Sequence, residues 1–99
     1  MAASDSPTLL ASEKTVASTG TAVALVSASQ RVKSVTIIAK AANTNNIFVG
    51  GSDVDVNTND GLAAGDTLEI PALNWLDLAD IYIDATTNGE GVDFYAVKA

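Results

Sequence analysis

The sequence predicts an all-β chain, a single antiparallel β-sandwich of about six to eight strands. Three observations predict it. From Lys33 to Ala99 short apolar runs alternate with polar positions, in VKSVTIIAKA, NIFVGG, DTLEIPAL, DIYIDA and GVDFYAV. A period of two sends successive side chains to opposite faces of a sheet. Asn, Gly and Asp divide the runs at close spacing, and these residues either tolerate positive φ or bond their own backbone.

Residues 1–20 stand apart from the rest. They are rich in Ala, Ser and Thr, carry Pro7 and follow neither the strand nor the helix period. Only Leu9 and Leu10 offer large apolar surface there. The segment reads as a flexible or extended N-terminal arm with one short strand near Thr15–Ala17. It precedes a β-sandwich domain over residues 21–99.

From Thr21 the period is two. Val23 and Leu25 alternate with small residues, and Ser27–Gln30 makes a turn. TAVALVSASQRV has enough alanine for a helix, but three threonines and three valines between Thr15 and Val26 favour a strand. Lys33–Lys40 places Val35, Ile37 and Ala39 on one face and Ser34, Thr36 and Lys40 on the other; Ile38 breaks the alternation. NTNN at 43–46 marks a turn, followed by a strand over Ile47–Val49 and the pair Gly50–Gly51. Adjacent glycines point to positive φ or a close backbone approach. They lack the following Lys-Ser/Thr and helix that a phosphate-cradling loop needs.

Residues 66–70 form a strand with Leu68 and Ile70 inward, which Pro71 ends or sets at a sheet edge. Ala72–Ala79 reads as a loop or a single helical turn, with Trp75 as a lid over one end of the core. Asp80–Ala85 and Gly91–Val97 flank Asn88–Gly89, a strong hairpin signal. A two-residue type I′ turn there pairs Thr87 with Glu90, Ala85 with Val92 and Ile83 with Phe94.

Length and composition bound the function. A chain of 99 residues has room for one domain with a thin core. Much of the apolar content is alanine, and the large aromatics are only Phe48, Phe94, Tyr82, Tyr95 and Trp75. A thin core favours extra stability gained through assembly. The formal charge is −7, with the bases scattered at Lys14, Arg31, Lys33, Lys40 and Lys98. Binding to nucleic acid or an anionic membrane needs clustered bases, so neither partner is expected. The acids keep the chain soluble or draw it to a basic partner surface.

Histidine and cysteine are both absent. This removes the commonest general base, the soft metal ligands, the most reactive nucleophile and any disulfide. The first residues lack the basic and apolar regions of a secretory signal, and no apolar run approaches the roughly 20 residues of a membrane-spanning helix. The expectation is a soluble chain made in a cytoplasm.

GSDVDVNTNDG at 51–61 is the one stretch similar to a metal loop. A calcium-binding EF-hand loop needs oxygen ligands at its first, third and fifth positions, glycine at the sixth and glutamate at the twelfth. Counted from Asp53, those last two places hold Thr58 and Ala64; counted from Asp55, they hold Asp60 and Asp66. Both registers fail at the turn, and the Asp53–Asp60 loop is read as solvated, with its side chains bonding its own backbone. No metal, cofactor or catalytic residue is assigned. The remaining candidates are interface residues. Phe48, Tyr82 and Tyr95 have the opposite parity to Ile47, Val49, Ile81, Ile83, Val92 and Phe94, so they fall on the outer face of a sheet. In the hairpin pairing Tyr82 lies opposite Tyr95, either bracing the sheet or offering an apolar patch to a protein or sugar. Leu9 and Leu10 are the candidate contacts of the arm.

SVTIIAKAANTNNIFVGG, GLAAGDTLEIPAL and LADIYIDATTNGEGVDFYAV resemble small virion proteins of tailed bacteriophages. The matching pieces are Asn43–Gly50, Leu62–Ile70 and Asp80–Tyr95, and the resemblance covers roughly residues 33–97. It implies a β-sandwich of jelly-roll type that serves as a capsid decoration (cement) protein, non-enzymatic and located in the virion. Its partners are then the major capsid protein or another virion protein and its own copies, with a trimer favoured because decoration proteins often sit at threefold positions. A tail, head-tail or baseplate accessory module is the alternative within the virion, and a carbohydrate-binding β-sandwich module is the alternative outside it.

Overall fold

The computed structural model describes residues 9–57 and 60–99. Residues 1–8, the first part of the expected arm, lie outside the described residues, as do Thr58 and Asn59 of the acidic loop. Seven strands form among the described residues: β1 (Leu9–Thr15), β2 (Val23–Ala24), β3 (Arg31–Ala39), β4 (Ile47–Gly50), β5 (Thr67–Asp77), β6 (Tyr82–Ala85) and β7 (Gly91–Lys98). The 3-10 turn Leu78–Asp80 links β5 to β6.

The strands build two antiparallel sheets, ordered β1-β7-β3-β5 and β2-β6-β4. Consecutive strands fall in opposite sheets at every step, the wrapping of a jelly roll. Leu62 adds a lone bridge to β4, exchanging N–H···O bonds of 2.9 and 2.7 Å with Ile47. That bridge stands where a fourth strand of the smaller sheet belongs.

Register explains the core. Across the larger sheet Leu10, Ala96, Val35 and Ile70 form one inward row, and Ser12, Phe94, Ile37 and Leu68 the next. Their outward counterparts are Ala11, Tyr95, Thr36 and Glu69, then Glu13, Asp93, Ile38 and Thr67. Phe94, Ile37, Ile47, Leu78 and Ile83 are the largest side chains wholly removed from solvent, each contributing about 1.5–3 kcal/mol by burial. A register shift between Val32 and Ser34 turns Val32 inward as well, although strict alternation from Val35 places it outward. A β-bulge has this effect because one extra residue reverses the parity beyond it.

Wrapping between sheets overturns the expected hairpin. Asn88–Gly89 does reverse the chain, with Glu90 donating to the Thr87 carbonyl at 3.5 Å. Only Gly89 has positive φ, at 87°, whereas a type I′ turn needs it at both central residues. The turn is an arch from β6 in one sheet to β7 in the other. Ala85 pairs with Ile47 rather than with Val92, and Phe94 pairs with Ser12 and Ile37 rather than with Ile83. Tyr82 and Tyr95 therefore belong to different sheets and do not face each other. The local signal fixed the turn; competition for partners decided the pairing, since β6 is already flanked by β2 and β4, and β7 by β1 and β3.

Two further corrections concern the ends of strands. The short strand expected near Thr15–Ala17 is instead the seven-residue β1, which edges the larger sheet, and Val16 after it is fully buried. β5 does not stop at Pro71. It runs to Asp77, with residues 72–75 bulged out between the pairs Ser34–Pro71 and Val32–Leu76. Proline is tolerated there because β5 is an edge strand.

Candidate functional site

The bulge in β5 carries Trp75 away from the core. Trp75 is 47% exposed, so it is not the lid expected from the sequence. The Arg31 guanidinium lies over its ring, 4.0 Å from the centroid, within the range of a cation–π contact. Arg31 itself is held opposite Asp77 at the start of β3. Asp77 is the hub of this corner. Its carboxylate accepts hydrogen bonds from the Ser29 hydroxyl, from the Gln30 N–H at 2.9 Å and from the Ala79 N–H at 2.9 Å. Those donors, the Ser29 hydroxyl first, hold its pKa below the usual carboxylate range.

Beside this corner an apolar groove of about 530 Å³ opens between the edge strands of the two sheets. Val49 and Gly50 of β4 form one wall, Leu68 and Ile70 of β5 the other, and Trp75 and Asp80 stand on the rim. The groove exists because the smaller sheet is short on this side. Gly50 and Gly51 both have ordinary φ, and a Cβ at Gly50 meets the Val54 side chain at 3.2 Å, so close approach accounts for Gly50. The opposite mouth of the sandwich, between β1 and the segment after β2, is a smaller opening of about 310 Å³ lined by Leu10, Val26, Leu78 and Phe94.

The five interface candidates do not form one surface. Leu9 is 76% exposed in the outer row of β1, while Leu10 points inward and packs against the core. Tyr95 is 52% exposed at the centre of the larger sheet's outer face, and Tyr82 is half-buried on the smaller sheet. Phe48 has the outward parity expected of it but is only 5% exposed. The chain folds over it at Gly61, where a Cβ would lie 2.9 Å from the Phe48 ring. Period alone placed the side chain correctly and could not foresee that cover.

The buried polar groups are structural, and no local pattern in the sequence marks them. Glu90 accepts hydrogen bonds from the Thr44 N–H, the Thr44 hydroxyl at 2.7 Å and the Asn45 N–H at 3.1 Å. The Thr44 donors hold its pKa below the ordinary value, against the opposing effect of burial. Asp84, buried on the smaller sheet, accepts from the Gly20 N–H at 3.1 Å. On the outer face of the larger sheet Lys40 reaches both Glu13 and Asp93, which keeps its pKa raised, the Glu13 hydrogen bond contributing most. Among the described residues no three acidic side chains come close enough together to hold a metal ion. In the Asp53–Asp60 loop the Asp55 carboxylate accepts from the Asn57 N–H at 2.8 Å.

No helix among the described residues is long and apolar enough to cross a membrane. No family model matches the chain, and neither a curated protein nor a solved structure matches it.

Proposed function

We propose that this chain is a non-enzymatic structural protein of a tailed-phage virion, which binds the capsid exterior and stabilises it. The resemblance over residues 33–97 motivates the reading, and the jelly-roll wrapping is the architecture that resemblance implies. The observation that carries a docking role is the Trp75–Arg31 pair at the rim of an apolar groove. Tryptophan and arginine are the residues that most often dominate binding at protein interfaces, because each combines large apolar area with a directional polar group. The net charge of −7 favours a basic patch on the shell as the opposing surface. The major capsid protein is the partner, and the virion is the location.

Purified protein added to capsids that lack it tests this reading. Saturable rebinding with raised capsid stability is the expected result. Trp75→Ala should weaken rebinding by roughly tenfold or more, since interface tryptophans commonly contribute 2 kcal/mol or more, and should leave the isolated chain folded. Retention on purified tails and not on capsids replaces the capsid with a tail accessory role.

A second reading has one observation in its favour. Trp75 with Asp80 beside a groove is also how a sugar is held, by stacking on an aromatic face and a carboxylate accepting from hydroxyls. A carbohydrate-binding module gives strong, Trp75-dependent hits on a glycan array and no capsid retention.

A further inference from the structure

The four sheet edges of this sandwich are not equivalent. β2 is two residues long. β4 is four residues long, and Leu62 already bridges its first residue. β5 carries Pro71 and the bulge at 72–75. Each of these devices discourages a further strand from pairing. β1 has no proline, glycine, bulge or bridge: it offers seven regular residues, LLASEKT, and its one inward-facing charge, Lys14, stands near the strand's end.

The phase of its hydrogen bonds can be read from the strand end. The Val16 N–H donates to Glu90 and its carbonyl accepts from Gly89, so both groups turn toward the β7 side. The N–H of Gly91, paired with Thr15, donates instead to Asn43, and its carbonyl accepts from Lys40 and Asn43, all on the side away from β1. Alternation along an antiparallel ladder then directs the peptide groups of Leu9, Ala11, Glu13 and Thr15 outward.

We infer that β1 is the seam of a homodimer, in which a second copy pairs its own β1 antiparallel about a twofold axis at Ser12. This register uses all seven residues and sets Leu9 opposite Thr15, Leu10 opposite Lys14 and Ala11 opposite Glu13 of the second copy. The outward groups of the four odd residues meet as hydrogen-bonded pairs. No like charges fall opposite each other. Even-numbered and odd-numbered side chains keep to their own faces, so the two larger sheets join as one eight-stranded sheet, with Leu9, Tyr95 and Val97 of both copies along its outer surface.

Charge favours a second copy at this edge over any other. Of the twelve acids, seven lie between Asp53 and Asp80, on the β4–β5 side of the molecule. Around β1 the charges balance: on the outer face Lys40 pairs with Glu13 and Asp93, and Lys14 stands on the opposite face of the strand. Two copies joined at β1 hold their acidic sides apart, which limits the like-charge repulsion of two strongly acidic chains. The dimer forms in the purified chain whatever the virion partner is.

Sedimentation of the full chain tests the seam, together with two variants. The native chain should sediment as a dimer in a concentration-dependent equilibrium. Ala11→Pro removes an outward N–H and leaves the bonds to β7 intact, so it should halve the sedimenting mass while the far-UV spectrum and melting temperature hold. Ser12→Cys supplies an independent readout, because the chain has no other cysteine. The axis places the two introduced residues as a non-hydrogen-bonded pair with Cα atoms about 4.5 Å apart, within disulfide reach. Under oxidised glutathione it should crosslink far faster than Ala63→Cys on an exposed loop, and adding Ala11→Pro should abolish the difference. A native chain that stays monomeric at high concentration overturns the seam, as does a dimer that survives Ala11→Pro. Equal crosslinking at Ser12→Cys and Ala63→Cys overturns it too.

Discussion

Asn43 and Gly91 bind each other twice: the Asn43 amide donates to the Gly91 carbonyl at 2.9 Å, and the Gly91 N–H donates to the Asn43 side-chain oxygen at 3.2 Å. The side chain mimics a strand neighbour and docks the β3–β4 turn on the first residue of β7. Gly91 sits so close to β1 that a Cβ there would lie 2.2 Å from the Lys14 carbonyl oxygen. With Glu90 holding Thr44 and Asn45, this corner fastens the arch between the sheets to both edges of β7.

The first prediction concerns this corner. Asn43→Ala leaves the Gly91 N–H without a partner, whereas the Gly91 carbonyl keeps the Lys40 N–H at 3.1 Å. One orphaned buried donor costs about 1–3 kcal/mol. Asn43→Asp should be worse, because it sets an acceptor against the Gly91 carbonyl and buries a charge. Urea unfolding of the variants measures both. Equal stability of Asn43→Asp and the native chain would rule out the paired bonds.

The second prediction is acid sensitivity. Glu90 and Asp77 both have folded pKa values below their ordinary ones of 4.5 and 3.8. Their contribution is complete above those ordinary values and is lost as pH falls through the lower folded values. Stability should therefore decline on acidification below about pH 5. Glu90→Gln should be less stable at neutral pH and show a shallower decline, and Glu90→Gln with Asp77→Asn shallower still. Lys40 acts in the opposite direction. Its raised pKa gives a contribution present below its ordinary 10.5 and lost as pH rises through the higher folded value. Identical acid slopes for the native chain and Glu90→Gln would remove Glu90 from the account.

The third prediction separates a core role for Phe48 from an interface role. Gly61 has φ of 73°, and a Cβ there would lie 2.8 Å from the Ile47 carbonyl oxygen as well as against the Phe48 ring. Gly61→Ala combines backbone strain with overpacking and should cost about 1–3 kcal/mol. Phe48→Ala should destabilise the isolated chain by about 3–5 kcal/mol, as truncation of a buried phenylalanine does. Thermal melts of the purified chain decide between the roles. An interface residue leaves the melting temperature of the isolated chain unchanged.

How far the sequence foretold these features follows from what each depends on. The alternation in Lys33–Lys40 identified an inward face of Val35, Ile37 and Ala39, because β3 lies between two neighbours with one face on the core. Turn chemistry at Asn88–Gly89 was legible too, since Gly89 does adopt positive φ. The partner of each strand was not legible. Hairpin logic assumes that neighbours in sequence pair, and a jelly roll sends every neighbour to the opposite sheet. The Trp75–Arg31 contact was hidden for a related reason. It depends on a bulge in β5 opposite Lys33, and a bulge leaves no periodic trace when it follows a proline in an apolar run. Glu90 and Asn43 read as turn residues because their partners lie more than forty positions away.

The last prediction uses Trp75 as its own reporter, since the chain has no other tryptophan. The ring is half-exposed at the rim of the groove, with the Arg31 guanidinium over it. Removing Arg31 frees the ring without touching the core, because an exposed cation–π contact contributes only about 0.5–1 kcal/mol. Arg31→Ala should red-shift the emission and raise acrylamide quenching, while the melting temperature changes little. Arg31→Lys should restore part of the order, as an ammonium keeps the charge but loses the flat stacking surface. Ile81→Ala supplies the contrast: it opens the buried base beside the same groove, so it should lower the melting temperature as well as alter the emission. Emission from Arg31→Ala that matches the native chain would mean that the bulge alone holds Trp75 in place.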